Sequence, residues 1–474
     1  MKDQTDPGTE SDPRRSLPSV SALLDTAPVR ELLAAHPRRM VVDAIRRALG
    51  ACRTGPTGGA ALSPGLAELA ERVVACFEDG RRERIRPVIN GTGILLHTGL
   101  GRAVLPKPAV EALARLDGCC NLQIDLETGR RGKRHDMAER LLCQLTGAEA
   151  ALVVNNNAAA TMLVLASLCA GREVIVSRGQ LIEIGGSYRL PDCVHQSGAI
   201  LVEVGATNRT HPRDYAQAIS ENTAALLHVN PSNYRIVGFS ASVSIAELVA
   251  LKGDSPILVI DDLGCGALVN LEEYGLPHEP TVQESLAAGA DLVCFSGDKL
   301  IGGPQSGIIV GRKALIERIR KHPLTRMLRV GKLTDVALEH TLYLFLEPES
   351  LCERHPTFRM LCLPLDRVQA RAEALCAALA ALGGPLDCAV EPCAGAMGGG
   401  ALPDVTLPSA AVCATVRGMC AEGLARQLRR NEPPIISQIR DERVVLDLRT
   451  VLDGEQAAIV AAFQHIVERA REPR

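Results

Sequence analysis

Asp291-Leu292-Val293-Cys294-Phe295-Ser296-Gly297-Asp298-Lys299-Leu300-Ile301-Gly302-Gly303-Pro304-Gln305 reads as a buried strand that ends in a small polar turn with a lysine at its tip. A short apolar run bounded by glycine and aspartate has the length of a strand covered on both faces. Gly302-Gly303-Pro304 lets the backbone pass close to a bulky group. Comparable runs fall at residues 151–155, 173–177, 200–204, 224–229, 257–261 and 307–310, mostly separated by stretches long enough for crossover helices. From Val88 to about Glu347 this alternation predicts an α/β fold, a mostly parallel sheet with helices on both faces. Ligands of such sheets sit at the carboxyl ends of strands, where Lys299 falls.

The flanks differ from this centre. Residues 1–13 carry Pro, Gly, Ser, Thr and charge without periodicity and are expected to be a disordered lead-in. From about Arg14 to Arg86 the apolar residues Leu23, Leu24, Leu32, Leu33, Val41, Val42, Ile45 and Leu49 recur at helical spacing, and a Gly/Pro-rich break at residues 54–65 precedes another helix at 66–77. This stretch holds 13 Arg against 8 acids, whereas the whole chain has a formal charge of −3. Clustered guanidinium groups suit a polyanion, although a solvated helical surface has the same composition. Beyond a long helix at about residues 334–346, the chain reads as a smaller α+β domain. It has helices at 367–382 and 411–430 and a hairpin of strands 435–440 and 443–447 turning at Asp441 and Glu442.

Composition removes several classes of function. Of 474 residues 46% are hydrophobic and 23% charged, and no stretch approaches a membrane span. The acidic, polar start at residues 1–12 lacks the basic and apolar pattern of a signal peptide, so a cytoplasmic location is expected. The sixteen cysteines are scattered without a Cys-x-x-Cys pair, which points to reduced thiols and to no metal site. Aromatics make up 2%, a weak argument against base stacking on aromatic platforms. Gly91-Thr92-Gly93 lacks the third glycine of a dinucleotide loop, and neither Gly132-Lys133 nor Gly331-Lys332 continues as a Walker loop. Only 8 of the 52 basic residues are lysine, so each lysine can be weighed singly.

Lysines are almost never fully buried, and one taken at random belongs to the surface. Lys299, at a strand end in a partly apolar setting, is instead placed to act as an amine nucleophile. Asp262 ends another apolar strand 37 positions upstream, in Ile257-Leu258-Val259-Ile260-Asp261-Asp262. A carboxylate there suits a pyridinium nitrogen, which pyridoxal phosphate must keep protonated to withdraw electrons. Further upstream, Asn155-Asn156-Asn157-Ala158 opens a helix whose free N–H groups suit a phosphate. Singly, each is as readily a cap or a turn.

In the order phosphate cup, acid, lysine, these segments resemble the aspartate-aminotransferase-like (type I) pyridoxal-phosphate enzymes. The likeness narrows with Val88-Ile89-Asn90-Gly91-Thr92-Gly93, His97-Thr98-Gly99-Leu100-Gly101-Arg102-Ala103, Asp125-Leu126-Glu127-Thr128-Gly129, Glu183-Ile184-Gly185-Gly186-Ser187, Ser232-Asn233-Tyr234 and the Lys299 segment. Together they resemble the bacterial selenocysteine synthase family, the L-seryl-tRNA(Sec) selenium transferases, over almost the whole chain from about Leu17.

The resemblance implies a helical tRNA-binding module at residues 14–84, a large pyridoxal-phosphate-binding domain at 85–346 and a small α+β domain at 347–474. It implies Lys299 as the Schiff-base lysine and the base for the α-proton, with Asp262 on the pyridine nitrogen. Asn156, Asn157, Ala158 and Ser296 take further cofactor-binding positions. Arg102, Arg326 and Arg329 match positions that hold selenophosphate, the selenium donor, since guanidinium forks suit tetrahedral oxyanions. Arg326 and Arg329 would share a face if their segment is helical. Thr207 is a substrate-side residue. The expected reaction converts L-seryl-tRNA(Sec) to L-selenocysteinyl-tRNA(Sec) through an aminoacrylyl-tRNA intermediate. The expected assembly is a homo-oligomer built from dimers, a decamer, without membrane contact. Two positions depart from the family pattern, Ala206 for a threonine and Gly331 for an aspartate. The alternatives are a lyase of the same fold acting on a small phosphorylated amino compound, a non-catalytic tRNA-binding protein, and an unrelated α/β enzyme. The intact Lys299 and Asp262 disfavour the second of these.

Overall fold

A computed structural model describes residues 17–54, 64–81, 85–132, 136–186, 188–403 and 405–471. The expected lead-in at 1–13, most of the break at 54–65, Lys133 and Ser187 lie outside the described residues. The chain divides into two units, Met1–Pro87 and Val88–Arg474.

The first unit is helical, with helices at Val20–Leu24, Ala27–Ala35, Arg38–Thr54 and Leu66–Arg81. Ser19 caps the first helix by accepting from the Ala22 N–H at 3.2 Å. Val41, Ile45 and Leu49 repeat every four residues along Arg38–Thr54 and meet Leu69, Val73 and Phe77, which repeat likewise on Leu66–Arg81. Leu24, Leu32 and Leu33 are only half-buried against this core, and Val42 is half-buried outside it. Arg38, Arg39, Arg46, Arg47 and Arg53 all stand on the exposed side of their helix.

The strands of the second unit are, in chain order, β1 (Ile89–Gly91), β2 (Ala150–Val154), β3 (Glu173–Ser177), β4 (Glu183–Ile184), β5 (Tyr188–Arg189), β6 (Ile200–Val204), β7 (Thr223–Val229), β8 (Leu258–Gly264), β9 (Leu292–Ser296), β10 (Gly307–Gly311), β11 (Leu386–Ala396), β12 (Thr406–Val416), β13 (Ile435–Arg440) and β14 (Arg443–Asp447). Seven form a sheet in the order β2-β10-β9-β8-β7-β3-β6, in which β10 alone runs antiparallel to its neighbours. Side chains alternate between two cores. Val153, Ile175, Leu226, Val259 and Val293 enter one, while Val154, Val176, Leu227, Ile260 and Cys294 enter the other. A strand buried on both faces reads as a continuous apolar run, which is why these strands were legible along the chain.

The second sheet has the order β1-β13-β14-β12-β11. The helices at Leu365–Ala380, Ala421–Arg430 and Gln456–Arg471 contribute Leu375, Leu428 and Phe463 to the core that holds its residues Val412 and Leu446. β1 pairs in parallel with β13, so the segment after Val88 joins the C-terminal sheet although it precedes the large sheet in the chain. One expectation is overturned here. The helix expected at 411–430 begins only at Ala421, because residues up to Val416 form β12, paired with β11 on one side and β14 on the other. Ala410, Ala411, Val412, Cys413 and Ala414 are all buried, and pairing on both edges overrides the helix preference of the alanines. Gly418, at φ 84°, turns the chain before the helix. Asp441 and Glu442, at φ 49° and 57°, make the tight hairpin turn between β13 and β14.

Candidate functional site

A cleft of about 330 Å³ lies where β2, β7, β8 and β9 end, and Arg102, Asn156, Asn157, Ala158, Asp262, Ser296 and Lys299 all line it. Each arrives from a different local device. β9 delivers Lys299 through the turn Gly297-Asp298, and the lysine is only 7% exposed, with no ion pair among the described residues. Gly264 and Gly400, at φ 74° and 75°, bring backbone close to its ammonium. A Cβ on Gly400 would stand 3.7 Å from Lys299 Nζ and 3.3 Å from Ser232 Oγ. The turn is held from below by His355, whose Nε2 donates to the Ile301 carbonyl at 2.9 Å.

Asp261 and Asp262 are neighbours in β8 and therefore point to opposite faces. Asp262 shares its face with Ile260, under the helix Asn157–Leu168. Asn157 and Thr161, one helical turn apart, donate to its two oxygens at 2.7 and 2.9 Å. Burial pushes the Asp262 carboxyl above the usual range, opposed by these two donors, and a cation beside it would restore the anion. Asp261 faces the other way. It bonds His228 Nδ1 at 2.8 Å and accepts the Ser285 hydroxyl at 2.6 Å.

At the start of the helix the Asn156 side chain accepts from Ala159 N at 2.8 Å. The N–H groups of Asn157 and Ala158 have no carbonyl within the helix to serve them, and both residues line the cleft. Gly307 is needed beside this turn, since a Cβ there would lie 2.0 Å from the Asn156 carbonyl oxygen.

These residues fit pyridoxal phosphate. Asn157 Oδ1 and Tyr188 Oη, both from residues lining the cleft, are buried without a hydrogen-bond partner, as polar atoms awaiting a ligand are. The helix N-terminus suits the phosphate, Asp262 the ring nitrogen and Lys299 the aldehyde. Among the described residues no cluster of metal-ligating side chains exists, and no helix is long and apolar enough to cross a membrane.

The arginines are divided. Arg102, at φ 63°, reaches the cleft and its NH1 pairs with Asp298 at 2.8 Å. Arg326 and Arg329 are exposed and do not line it. The helix Pro323–Leu328 ends before Arg329, so the two do not share one helical face. The Leu328 carbonyl instead accepts from Asn155 N at 2.9 Å, which ties this segment to the Asn156 turn. Thr207 is exposed and lines a larger neighbouring cleft.

Reading the chain alone missed Asp298, Asn230, Ser232, Tyr188, Glu279 and the His228–Asp261–Ser285 set. Asp298 adjoins Lys299 in sequence and Asn230 ends a strand, so both carried a positional signal. Glu279 carried none, being an acid in a loop; it is 7% exposed, accepts from Asn230 at 3.5 Å, and burial pushes its carboxyl up.

His355 gives a pH signature. It is wholly buried, and burial brings its imidazole down to about 4 from 6.5. The unfolded chain then takes up a proton that the folded chain refuses until about pH 4. Stability is therefore full above pH 6.5 and declines as the pH falls through that window, by on the order of 3 kcal/mol from this residue. Urea midpoints at pH 7 and pH 5 should fall for the wild type and fall less for His355→Gln. Equal losses in both would remove His355 as the cause.

Residues 14–53 match the family described as selenocysteine synthase N terminal, and residues 88–452 match L-seryl-tRNA selenium transferase. The chain is 46% identical, over 93% of its length and 95% of the relative, to the L-seryl-tRNA(Sec) selenium transferase of Carboxydothermus hydrogenoformans. It is also 46% identical, over 96% of its length and 99% of the relative, to the protein of that name from Hyphomonas neptunium. Among solved structures, D-glucosaminate-6-phosphate ammonia-lyase superposes with a TM-score of 0.55 at 23% identity, covering 82% of this chain and 97% of that one. That likeness is one of fold, the type I pyridoxal-phosphate fold expected from the order of the segments. The two family matches fall one on each unit, and the identity extends over nearly all of both chains. The chain belongs to the L-seryl-tRNA selenium transferase family.

Proposed function

We propose that this chain converts L-seryl-tRNA(Sec) to L-selenocysteinyl-tRNA(Sec), with pyridoxal phosphate as cofactor and selenophosphate as selenium donor. The observation that carries the reading is the convergence of Lys299, Asp262 and the Asn156-Asn157-Ala158 turn in one cleft, in a chain nearly half identical to enzymes of that name. When bound, the cofactor withdraws electrons from the α-carbon of the amine it carries.

The protein's own residues do the rest. Lys299 Nζ would hold the cofactor and would be the amine placed to take the α-proton. Asp262 would keep a proton on the ring nitrogen, and the N–H groups of Asn157 and Ala158, with Ser296 beside them, would hold the phosphate. Arg102 binds the oxyanion of the donor, exchanging its bond to Asp298 for one to the ligand. Arg326 and Arg329, exposed on the segment bonded to Asn155 and outside this chain's cleft, would be further contacts for the donor, and Thr207, in the neighbouring cleft, would lie on the substrate side. In the net reaction the seryl Cβ–O bond and the P–Se bond of the donor break, Cβ–Se forms and inorganic phosphate leaves with an oxygen in place of selenium, so the arginines would contribute chiefly by position. Residues 14–84 serve as the tRNA-binding module, 85–346 as the cofactor domain and 347–474 as the small domain. The enzyme works in the cytoplasm as a homo-oligomer built from dimers, a decamer.

The test is conversion of seryl-tRNA(Sec) with selenophosphate by the purified full chain, beside an Arg39→Glu/Arg46→Glu variant. Both arginines are exposed on one helix. Reversing them should weaken tRNA binding by about tenfold or more, most at low salt, and leave the visible absorption of the bound cofactor unchanged. Protein that binds the cofactor yet neither binds nor converts the tRNA would instead be a lyase for a small phosphorylated amine.

A further inference from the structure

A second cleft of about 540 Å³ adjoins the one that holds Lys299, and Asn230 and Ser232 line both. Its chemistry is different. Arg209 and Arg235 line it with His228, bonded to Asp261, and His278, beside Glu272 and Glu284; Glu279 is the one carboxylate among its described lining residues, and much of the remaining wall carries hydroxyl and amide groups. Arg209 lies 3.9 Å over the Phe239 ring, makes no ion pair among the described residues, and has a buried Nε without a hydrogen-bond partner. The bond from Asp261 to His228 Nδ1, backed by Ser285, leaves Nε2 as the free nitrogen of that ring.

The inference rests on the reading under Proposed function. An amino acid esterified to the end of an RNA carries the terminal ribose one acyl link from its α-carbon. With the α-carbon held at Lys299, the terminal nucleotide must occupy space directly beside that cleft. The space that shares Asn230 and Ser232 with it carries two guanidinium groups, is rich in hydrogen-bonding groups and is larger than the Lys299 cleft. We propose that this second cleft binds the 3′-terminal nucleotide of the aminoacylated RNA, with its ribose toward Asn230 and Ser232 and its phosphate toward Arg209 and Arg235. Guanidinium groups suit a phosphate, and fixed amide and hydroxyl groups suit a ribose and a base edge. Such a site makes the RNA end itself, apart from the body of the tRNA, a determinant of reaction.

The probe is the trinucleotide cytidylyl-cytidylyl-adenosine with a fluorophore at its 5′ end, read by anisotropy on the full chain with cofactor bound. It should bind and be displaced by the unlabelled trinucleotide but not by the same concentration of inorganic phosphate. Arg209→Gln and Asn208→Ala should each weaken it about fivefold or more, whereas Arg371→Gln, in a different cleft, should change it by less than about twofold. Asn208 is exposed, so its variant guards against misfolding as the explanation. The proposal is overturned if the trinucleotide does not bind, if phosphate displaces it equally well, or if both cleft variants keep full affinity. Binding with this pattern but no conversion of seryl-tRNA would sink the activity and leave the nucleotide site standing. Conversion with unaffected trinucleotide binding in both variants would do the reverse.

Discussion

Lys299→Ala should lower conversion of seryl-tRNA(Sec) by at least about a thousandfold, because in the proposed reaction the same amine both holds the cofactor and moves the α-proton. The fold should survive. Lys299 is buried but makes no ion pair among the described residues, and the glycines at 264 and 400 rather than a charged partner shape its surroundings. Deleting that side chain opens space beside Ser232 and breaks no ion pair, and the buried carboxyls of Asp262 and Glu279, which its ammonium favours as anions, can take up a proton in its absence. The thermal midpoint of the variant should therefore stay near that of the wild type while single-turnover conversion collapses. Methylamine, which fits the space left by the removed aminobutyl chain, should restore a small fraction of the rate. A variant that kept a tenth of wild-type turnover would eliminate Lys299 as the reacting amine.

Asp262→Asn should produce the second-largest loss, about a hundredfold or more in kcat, with weaker cofactor retention. Its effect on the cofactor-free protein should run the other way. Asp262 is fully buried, its two oxygens are served by Asn157 and Thr161, and burial still raises its carboxyl above the ordinary value. A carboxyl raised in the folded state contributes stability that is present below its unfolded value and is lost as the pH rises through the folded one. Without the cofactor, then, the wild type carries a penalty near neutral pH that asparagine lacks. Asn157 has its own Oδ1 unpartnered, so a turn of that amide accommodates the new side-chain N–H. Melting of the cofactor-free proteins from pH 5 to pH 8 should show the variant at least as stable as the wild type, with the difference growing with pH. If the variant is less stable throughout, Asp262 is a structural acid and its assignment to the ring nitrogen fails.

The opposite signs of these effects separate a site from a scaffold. A residue kept for packing costs stability when changed, whereas a buried charge kept for chemistry costs function and releases stability. Asp261 supplies the contrast within one strand. It is equally buried, bonded to His228 and Ser285, and turned away from the cofactor cleft.

Much of the fold was legible along the chain because its signals are local. The apolar runs of β3, β9, β13 and β14, the four-residue repeats of the N-terminal helices and the Asp441-Glu442 turn follow from periodicity and turn chemistry between near neighbours. So did the order of asparagine turn, acid and lysine, since each stands at a strand end marked by its own flanking residues. The alanine-rich stretch before Gly418 was misread as helix for the converse reason. Its strand state comes from β11 and β14 on either side, and neither partner is visible in the stretch itself.

Other features belong only to the folded chain. Sequence spacing cannot say which of two adjacent carboxylates faces the lysine until the face covered by the helix at Asn157–Leu168 is known. That Arg102 reaches Asp298 across nearly two hundred positions, while Arg329 stops short of the cleft, depends on where loops from different strands meet. The same is true of the space shared through Asn230 and Ser232, and of Glu279 buried beside it. Helix and strand patterns are written in neighbours a few residues apart, but a site is a set of distances closed by sheet register and packing, and those exist only once the chain is folded.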